Sequence, residues 1–390
     1  MITAAESVRL ARTRDPEAIR RLLAPAQPLE PLLEAATALR EQGHGRRVSY
    51  SPAACFPLTH LCRDPCRHCA PAAARQRGTA AAMPVEQVLD RARRAAAAGC
   101  QEALLTLADK PERRWFAVRE ELGGRGFGTT VEYLAHVAGR VLRETGLLPH
   151  AEAGVLGPDE LAVVRTVSAS QRLVLEPVVA RQLDRDRASP DRRPVARLAT
   201  IQLAGELHVP FATGLRFGIG ETLGERAETI AVLAELVQQE HVQALVVQGE
   251  PRTRMAAASE PGRQELFRTA AVMRLAAGPH ANLQAPPDPD PEDLDLLLRA
   301  GVNDWGEVLS ATVDDGSPAA PWPQLDLLEA ATRAAGCQLV ARLCVYPEFV
   351  RDFDRALRWL HPNVLRHVLA ASDGEGLVRL RRVFEPRQVT

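Results

Sequence analysis

Short apolar runs alternate with longer stretches of helical spacing along most of this chain. Strands are predicted at Cys55–Leu61, Ala103–Leu107, Leu148–Glu152, Leu173–Glu176, Phe211–Gly218, Gln243–Gln248, Asn282–Ala285 and Leu339–Cys344. Between them, Val85–Ala98, Thr129–Thr145, Pro158–Val167, Pro194–Leu207, Thr222–Gln238 and Pro291–Ala300 carry apolar residues at the spacing of one helix face. A strand followed by a helix, repeated, is the mark of a parallel sheet with crossover helices. About eight such units over about 310 residues predict a closed, TIM-like (β/α)8 barrel rather than a doubly wound sheet, possibly an incomplete one.

Ahead of the barrel, Ile19, Leu22 and Leu23, then Leu33, Ala36 and Leu39, mark two amphipathic helices expected to cap it. The expected organisation is a helical extension over 1–46, a barrel over 47–360 and a C-terminal extension over 361–390. Two charged or Pro-rich stretches, Arg181–Arg193 and Ser310–Pro323, read as loops, and loops that follow barrel strands lie on the face that carries chemistry.

Composition narrows the class. The 390 residues are 46% hydrophobic, enough for a large core, and the formal net charge of −1 gives no field to draw the chain onto nucleic acid or an anionic membrane. No apolar run approaches the roughly 20 residues of a membrane span, and Met1–Arg12 mixes acidic and basic residues where a signal peptide would be apolar. A cytoplasmic protein with a small-molecule substrate is expected. Lys110 is the sole lysine among 48 basic residues. It marks either a need for a compact ammonium or a leftover on a surface turn.

Three of the seven cysteines fall in one run, Leu61-Cys62-Arg63-Asp64-Pro65-Cys66-Arg67-His68-Cys69, with the spacing Cys-x3-Cys-x2-Cys directly after a predicted strand. Three thiolates on one loop bind three corners of a 4Fe–4S cubane and leave the fourth iron open. An open iron can take the amine and carboxylate of S-adenosylmethionine (SAM), whose sulfonium one electron then cleaves to a 5′-deoxyadenosyl radical. The competing occupant is zinc, with His60 or His68 as fourth ligand, but structural zinc sites usually come as two separated pairs and no second pair is visible. Cys55, Cys100, Cys337 and Cys344 are scattered and read as small buried apolar residues.

From these cysteines outward the sequence resembles the radical SAM subunit of FO synthase, the CofG type, over about residues 46–360. The resemblance is carried by Val48-Ser49-Tyr50-Ser51, Pro57-Leu58-Thr59, Gly99-Cys100-Gln101-Glu102-Ala103-Leu104 and Leu107-Ala108-Asp109-Lys110-Pro111-Glu112. It continues through Glu144-Thr145-Gly146-Leu147-Leu148-Pro149-His150, Ser189-Pro190-Asp191, Arg197-Leu198-Ala199-Thr200-Ile201 and Gly218-Ile219-Gly220-Glu221-Thr222. Asp304-Trp305-Gly306, Pro321-Trp322-Pro323 and Val345-Tyr346-Pro347-Glu348 complete it.

The resemblance implies a lyase that forms the deazaflavin FO from an adduct of tyrosine and 5-amino-6-ribitylaminouracil. Its cofactors would be the 4Fe–4S cluster on Cys62, Cys66 and Cys69, and SAM. A second radical SAM subunit, of the CofH type, would make the adduct, and a ferredoxin or flavodoxin-like donor would supply electrons. It further implies His68 against the adenine, Glu176 on the SAM ribose, Arg197 forked onto the SAM carboxylate, Gly218 and Gly220 where backbone approaches the adenine, and Asp109 and Lys110 near the SAM amine or the substrate.

The chain departs from the family pattern in three loops. Gly249-Glu250-Pro251-Arg252 follows Gln248, Glu307-Val308-Leu309-Ser310 follows Gly306, and Asp186-Arg187-Ala188 stands where a histidine is expected. Two other readings share the cysteine loop: a paralogue acting on another adduct, like a menaquinone-pathway cyclase, and a metal-binding protein without catalysis.

Overall fold

The computed structural model describes residues 2–59, 61–63, 82–176, 193–249, 260–285, 290–310 and 324–379, with only the backbone of 260 and 261. Eight parallel strands close on themselves: β1 (Arg47–Pro57), β2 (Glu102–Thr106), β3 (Leu148–Glu152), β4 (Ser170–Arg172), β5 (Phe211–Phe217), β6 (Ala244–Gly249), β7 (Leu283–Gln284) and β8 (Asp304–Leu309), with β8 and β2 both paired to β1. A ninth strand, β9 (Gln338–Ala341), also pairs with β1. Among the described residues no helix is long and apolar enough to cross a membrane.

The long first strand serves three neighbours. On one edge Ser49 N–H bonds Asn303 O and Ala53 O accepts from Ser310 N–H, which is the β8 side. On the other edge Arg46 O and Tyr50 O accept from Gln338 and Arg342 of the β9 segment, and Pro52 O then accepts from Gln101, where β2 takes over. Pro52, which has no N–H to give, sits at that handover.

The expected first strand began at Cys55, eight residues late. Ser49 and Ser51 point inward and bond the carboxylates of Asp304 and Glu102, so this half of the strand lacks the apolar signature of a barrel wall. The expected strand at Leu339–Cys344 is β9, an accessory strand, while the eighth barrel position belongs to β8, which was not anticipated. In β8 the pairing passes from Ser49↔Asp304 to Ser51↔Glu307, a bulge at Gly306, whose φ of +74° suits glycine.

Crossover helices form the outer layer: α4 (Val85–Ala97), α5 (Phe116–Gly124), α6 (Thr130–Thr145), α7 (Pro158–Arg165), α8 (Pro194–Glu206), α9 (Leu223–Gln238), α10 (Glu260–Ala277), α11 (Leu294–Arg299) and α12 (Leu325–Ala334). Their boundaries follow local chemistry. Thr129 caps α6 through its side chain, Gly146 ends it in a left-handed turn, and Thr222 with Glu225 forms a reciprocal capping box on α9. Three N-terminal helices, α1 (Ala4–Arg12), α2 (Pro16–Leu23) and α3 (Glu30–His44), pack over α9, α10 and α11.

Beyond β9 the chain turns under the barrel. Leu343, Val345, Tyr346, Phe349 and the helices α13 (Phe353–Trp359) and α14 (Pro362–Ala371) form a second apolar cluster with Leu148, Ala169, Ala212 and Ala244, residues within one position of the starts of β3 to β6. This segment closes the N-terminal end of the lumen. The opposite end, where the strands finish, is left to the loops.

Where α3 meets the barrel, the fully buried Arg274 donates to the carbonyls of Gly301, Gly278, Pro279 and Ala281 and to Asn303 Oδ1. Gly301, at φ +89°, leaves it room, since a Cβ there would approach Arg274 Cγ to 2.6 Å. Beside it His44 Nε2 lies 3.1 Å from Ala281 O and its Nδ1 3.3 Å from Asn303 Nδ2. That is one donor role and one acceptor role, the pattern of a neutral imidazole.

Burial, with the Arg274 guanidinium adding to it, brings the His44 pKa down to about 3 from an ordinary 6.5. A folded value below the unfolded one gives stability that is present above pH 6.5 and lost as pH falls toward 3. Between pH 7 and pH 5 this histidine should remove about 2 kcal/mol of unfolding free energy. Denaturant titrations at the two pH values check it: His44→Gln should show a smaller decline than wild type, and equal declines would exclude His44 as the source.

Candidate active site at the C-terminal mouth of the barrel

All eight strands run the same way, so the loops after them gather at one mouth. Cys62 stands there, half-buried, five residues beyond the end of β1. Its approach is fixed by backbone: Leu58 N–H bonds Thr106 O at the end of β2, and Leu61 N–H bonds Thr59 Oγ1. The next residue, Arg63, is tied to the loop after β2 twice, by N–H to Asp109 O and by Nε to Asp109 Oδ2 at 2.7 Å. Arg114 then donates to Arg63 O. Cys66, Cys69 and His68, with His60, lie outside the described residues, as do most of the two charged loops expected at 181–193 and 310–323.

Asp109 and Lys110 face different partners. The Asp109 carboxylate holds Arg63, whereas Lys110, left-handed at φ +32° and buried, extends Nζ to Glu160 Oε2 at 2.8 Å. Glu160 also accepts Gly157 N–H, which caps α7, so the sole lysine joins the loops after β2 and β3. A compact ammonium suits that enclosed single contact better than a guanidinium fork.

Glu176 is buried four residues beyond the end of β4, just after Leu175 bridges to Leu215 of β5. Arg197, in the first turn of α8, forks Nε and Nη2 onto Val174 O at 3.0 and 2.6 Å, pinning the segment that delivers Glu176. After β5, Gly218 (φ +80°) and Gly220 (φ +101°) bend the chain so that the N–H groups of Gly218 and Ile219 converge on the Glu221 carboxylate at 2.8 and 3.0 Å. Arg226, stacked 4.7 Å over Phe217 and paired to Glu265, clamps Glu221 from behind.

Inside the lumen, below these loops, lies a charge network that the sequence did not announce. Arg172, the last residue of β4, donates to Glu307 Oε2 at 2.7 Å and to Glu152 Oε2 at 3.0 Å. Glu307 faces inward only because of the β8 bulge: Asp304 also faces inward, and without an extra residue two positions three apart would point to opposite sides of the wall. Burial alone would raise the Glu307 carboxyl, but the Arg172 cation and its hydrogen bond, together with Arg342 nearby, outweigh it and hold Glu307 below the usual carboxylate range. Glu307 had been visible as a departure from the family pattern, and Glu152 as a strand end. Nothing in the sequence paired either with Arg172.

A cavity of about 710 Å³ lies at the other end of the barrel, lined by Cys100, Gln101, Gly146, Ala341, His367 and Val378. It opens before the strands start and holds none of the residues above.

No protein-family model matches the chain. Among curated proteins, FO synthase of Streptomyces coelicolor is 41% identical over 360 residues, 89% of this chain and 41% of that protein. FO synthase of Mycobacterium tuberculosis is 40% identical over 347 residues, covering 85% and 40%. The chain thus spans about two fifths of the length of these relatives. The 7,8-didemethyl-8-hydroxy-5-deazariboflavin synthase of Methanopyrus kandleri is 37% identical over 339 residues, 85% of this chain and 100% of the relative. Among solved structures, the FeFe-hydrogenase maturase HydG of Carboxydothermus hydrogenoformans superposes with a TM-score of 0.67 at 14% identity, covering 94% of this chain and 83% of that one. Methylornithine synthase (PylB) gives 0.60 at 17%, covering 83% and 93%. At such identities the likeness is one of fold.

Removing the cation from the lumen network leaves two carboxylates, Glu307 largely buried and Glu152 half-buried, without their shared counter-charge. Arg172→Leu should therefore cost about 3–5 kcal/mol of unfolding free energy, read from guanidinium titrations. Glu307→Gln should cost clearly less, because Arg172 keeps Glu152. Equal losses for the two variants would mean that Arg172 is not the element both acids depend on.

Proposed function

The chain belongs to the 7,8-didemethyl-8-hydroxy-5-deazariboflavin synthase family, and on that premise we propose that it is a radical SAM lyase closing the deazaflavin ring of FO. Its substrate is the adduct of tyrosine and 5-amino-6-ribitylaminouracil, supplied by a CofH-type subunit, with a ferredoxin or flavodoxin-like donor for the electron. The observation that carries the reading is the 37% identity running the full length of the Methanopyrus relative.

The donor set suits a 4Fe–4S cluster. Three thiols at Cys-x3-Cys-x2-Cys spacing, following the first barrel strand in sequence, would suffice to hold three irons and leave a fourth open. Cys62, Cys66 and Cys69 would be the ligands. Such a cluster, held by these three cysteines, would supply the one-electron chemistry that cleaves SAM for hydrogen abstraction from the adduct.

The rest falls to the protein. The Arg63–Asp109 bond holds the cysteine loop against the loop after β2, so the first ligand does not drift. Glu176 accepts the ribose hydroxyls. Arg197 holds the backbone behind Glu176 with two nitrogens, and its Nη1 serves the SAM carboxylate. Gly218 and Gly220 let the main chain lie close to the adenine, and His68, which precedes the third cysteine in sequence, would be the aromatic partner of that base. Arg172, Glu152 and Glu307 fill the lumen beneath, and with the C-terminal segment they keep water from entering at the far end. Lys110 and Glu160 tie the rim together on the side of β2 and β3.

Two measurements test this reading. Anaerobically reconstituted protein given reductant, SAM and the adduct should release 5′-deoxyadenosine together with a fluorescent deazaflavin, and Cys66→Ala should lose the brown chromophore and both products. Slow deoxyadenosine release with no deazaflavin would instead favour a paralogue acting on another adduct. Separately, Glu176→Gln should keep a full cluster and weaken SAM binding by about 1–3 kcal/mol, read by titration of the reconstituted protein. Affinity equal to wild type would remove Glu176 from the SAM site.

A further inference from the structure

At the closed end of the barrel, away from the cysteine loop, three potential metal ligands from distant parts of the chain meet. Glu102 opens β2, His150 lies in the middle of β3, and Cys344 belongs to the segment that turns under the barrel. One ligand atom of each lies within 4.8 Å of the others, and all three side chains are buried, at 0%, 2% and 2% exposure.

Three polar atoms of this group lack partners, while the Cys344 thiol makes only a long contact to Leu148 O at 3.9 Å. Ser51 Oγ occupies Glu102 Oε2, but Glu102 Oε1 and both ring nitrogens of His150 have no hydrogen-bond partner. Oε1 and Nδ1 face each other at 3.7 Å, too far for a bond. A buried histidine with neither nitrogen satisfied is costly, and native interiors rarely keep one without an ion or water beside it. The nearby arginines do not answer the need: Arg342 is bidentate on Asp304, and Arg172 is shared between Glu307 and Glu152.

We propose that Glu102, His150 and Cys344 bind a thiophilic divalent cation, zinc foremost, which fastens the C-terminal segment to the barrel wall. The donor set of one thiolate, one imidazole and one carboxylate matches zinc, with a water in the fourth position. The charges also balance, since a dication on one thiolate and one carboxylate is neutral, which a buried site requires. The site is separate from the cluster loop, and the proposed lyase activity does not depend on it.

The experiment is metal analysis of the full-length holoenzyme prepared anaerobically with zinc sulfate. Wild type should carry about one zinc per chain beside the cluster iron, with a zinc K-edge absorption spectrum fitted by a single sulfur and lighter donors. Cys344→Ala and His150→Ala should lose the zinc and keep the iron. The combined variant Cys62→Ala, Cys66→Ala, Cys69→Ala should lose the iron and keep the zinc. Should Cys344→Ala misfold, chelator-treated wild type serves instead, and its melting temperature should rise on adding zinc. No zinc in wild type, with a melting temperature indifferent to it, would overturn the proposal and leave a buried water as the occupant. Three sulfurs around the zinc, or zinc lost with the three loop cysteines, would place the metal in the cluster loop and equally overturn it.

Discussion

The ion pair between Asp304 and Arg342 holds three parts of this molecule in register. Both side chains are wholly buried, and Arg342 spans the carboxylate with Nε and Nη2. Asp304 also accepts from Ser49 of β1 and from Gly306 N–H within the bulge of β8, while Arg342 stacks 4.2 Å over Tyr346 of the underlying segment. One carboxylate thus joins the first strand, the closing strand and the plug. Its bonds are made in a medium where an unpaired charge would cost several kcal/mol, so each partner constrains where the others can stand.

The bulge that accommodates Asp304 sets the character of the lumen above it. By admitting an extra residue, β8 turns Glu307 inward as well, and the interior answers with Arg172. A barrel filled by branched apolar side chains would need no such pairing. Here the interior is ionic at its middle, closed beneath by the C-terminal segment and ringed by interlocked loops at its mouth. Arg63 with Asp109, Lys110 with Glu160, and Arg197 with Val174 O each tie a catalytic-face segment to a neighbour, so the rim acts as a connected collar rather than as independent loops.

Much of this was legible in the sequence, and the failures have a common cause. Leu148–Glu152 was placed to the residue, and β2, β5, β6 and β7 within one or two, because their walls are apolar where they should be. The first half of β1 and all of β8 were missed, and the strand expected at Leu173–Glu176 stands instead at Ser170–Arg172, because Ser49, Ser51, Arg172, Asp304 and Glu307 serve the polar lumen and an alternation rule reads them as loop. The cysteine spacing could be read because three ligands sit on one short run. Arg172 could not, since its partners lie 20 and 135 residues away and no local pattern links them. Lys110 was conspicuous by composition alone, and the structure supplies the physical setting, an enclosed contact in a left-handed turn that the count could not foretell.

Barrel closure has a consequence for how the chain comes into being. Ser49 must wait for Asp304, and the undersides of β3 to β6 stay bare until the stretch around Leu343 to Val368 exists to cover them. During synthesis, seven of the eight barrel strands therefore precede the one that closes the sheet, and until then its edges have no partners and its apolar base faces water. Such a sheet is adhesive, and contacts so distant in sequence form slowly. Protection of this nascent intermediate, by chaperones or by low expression temperature, follows from the topology itself.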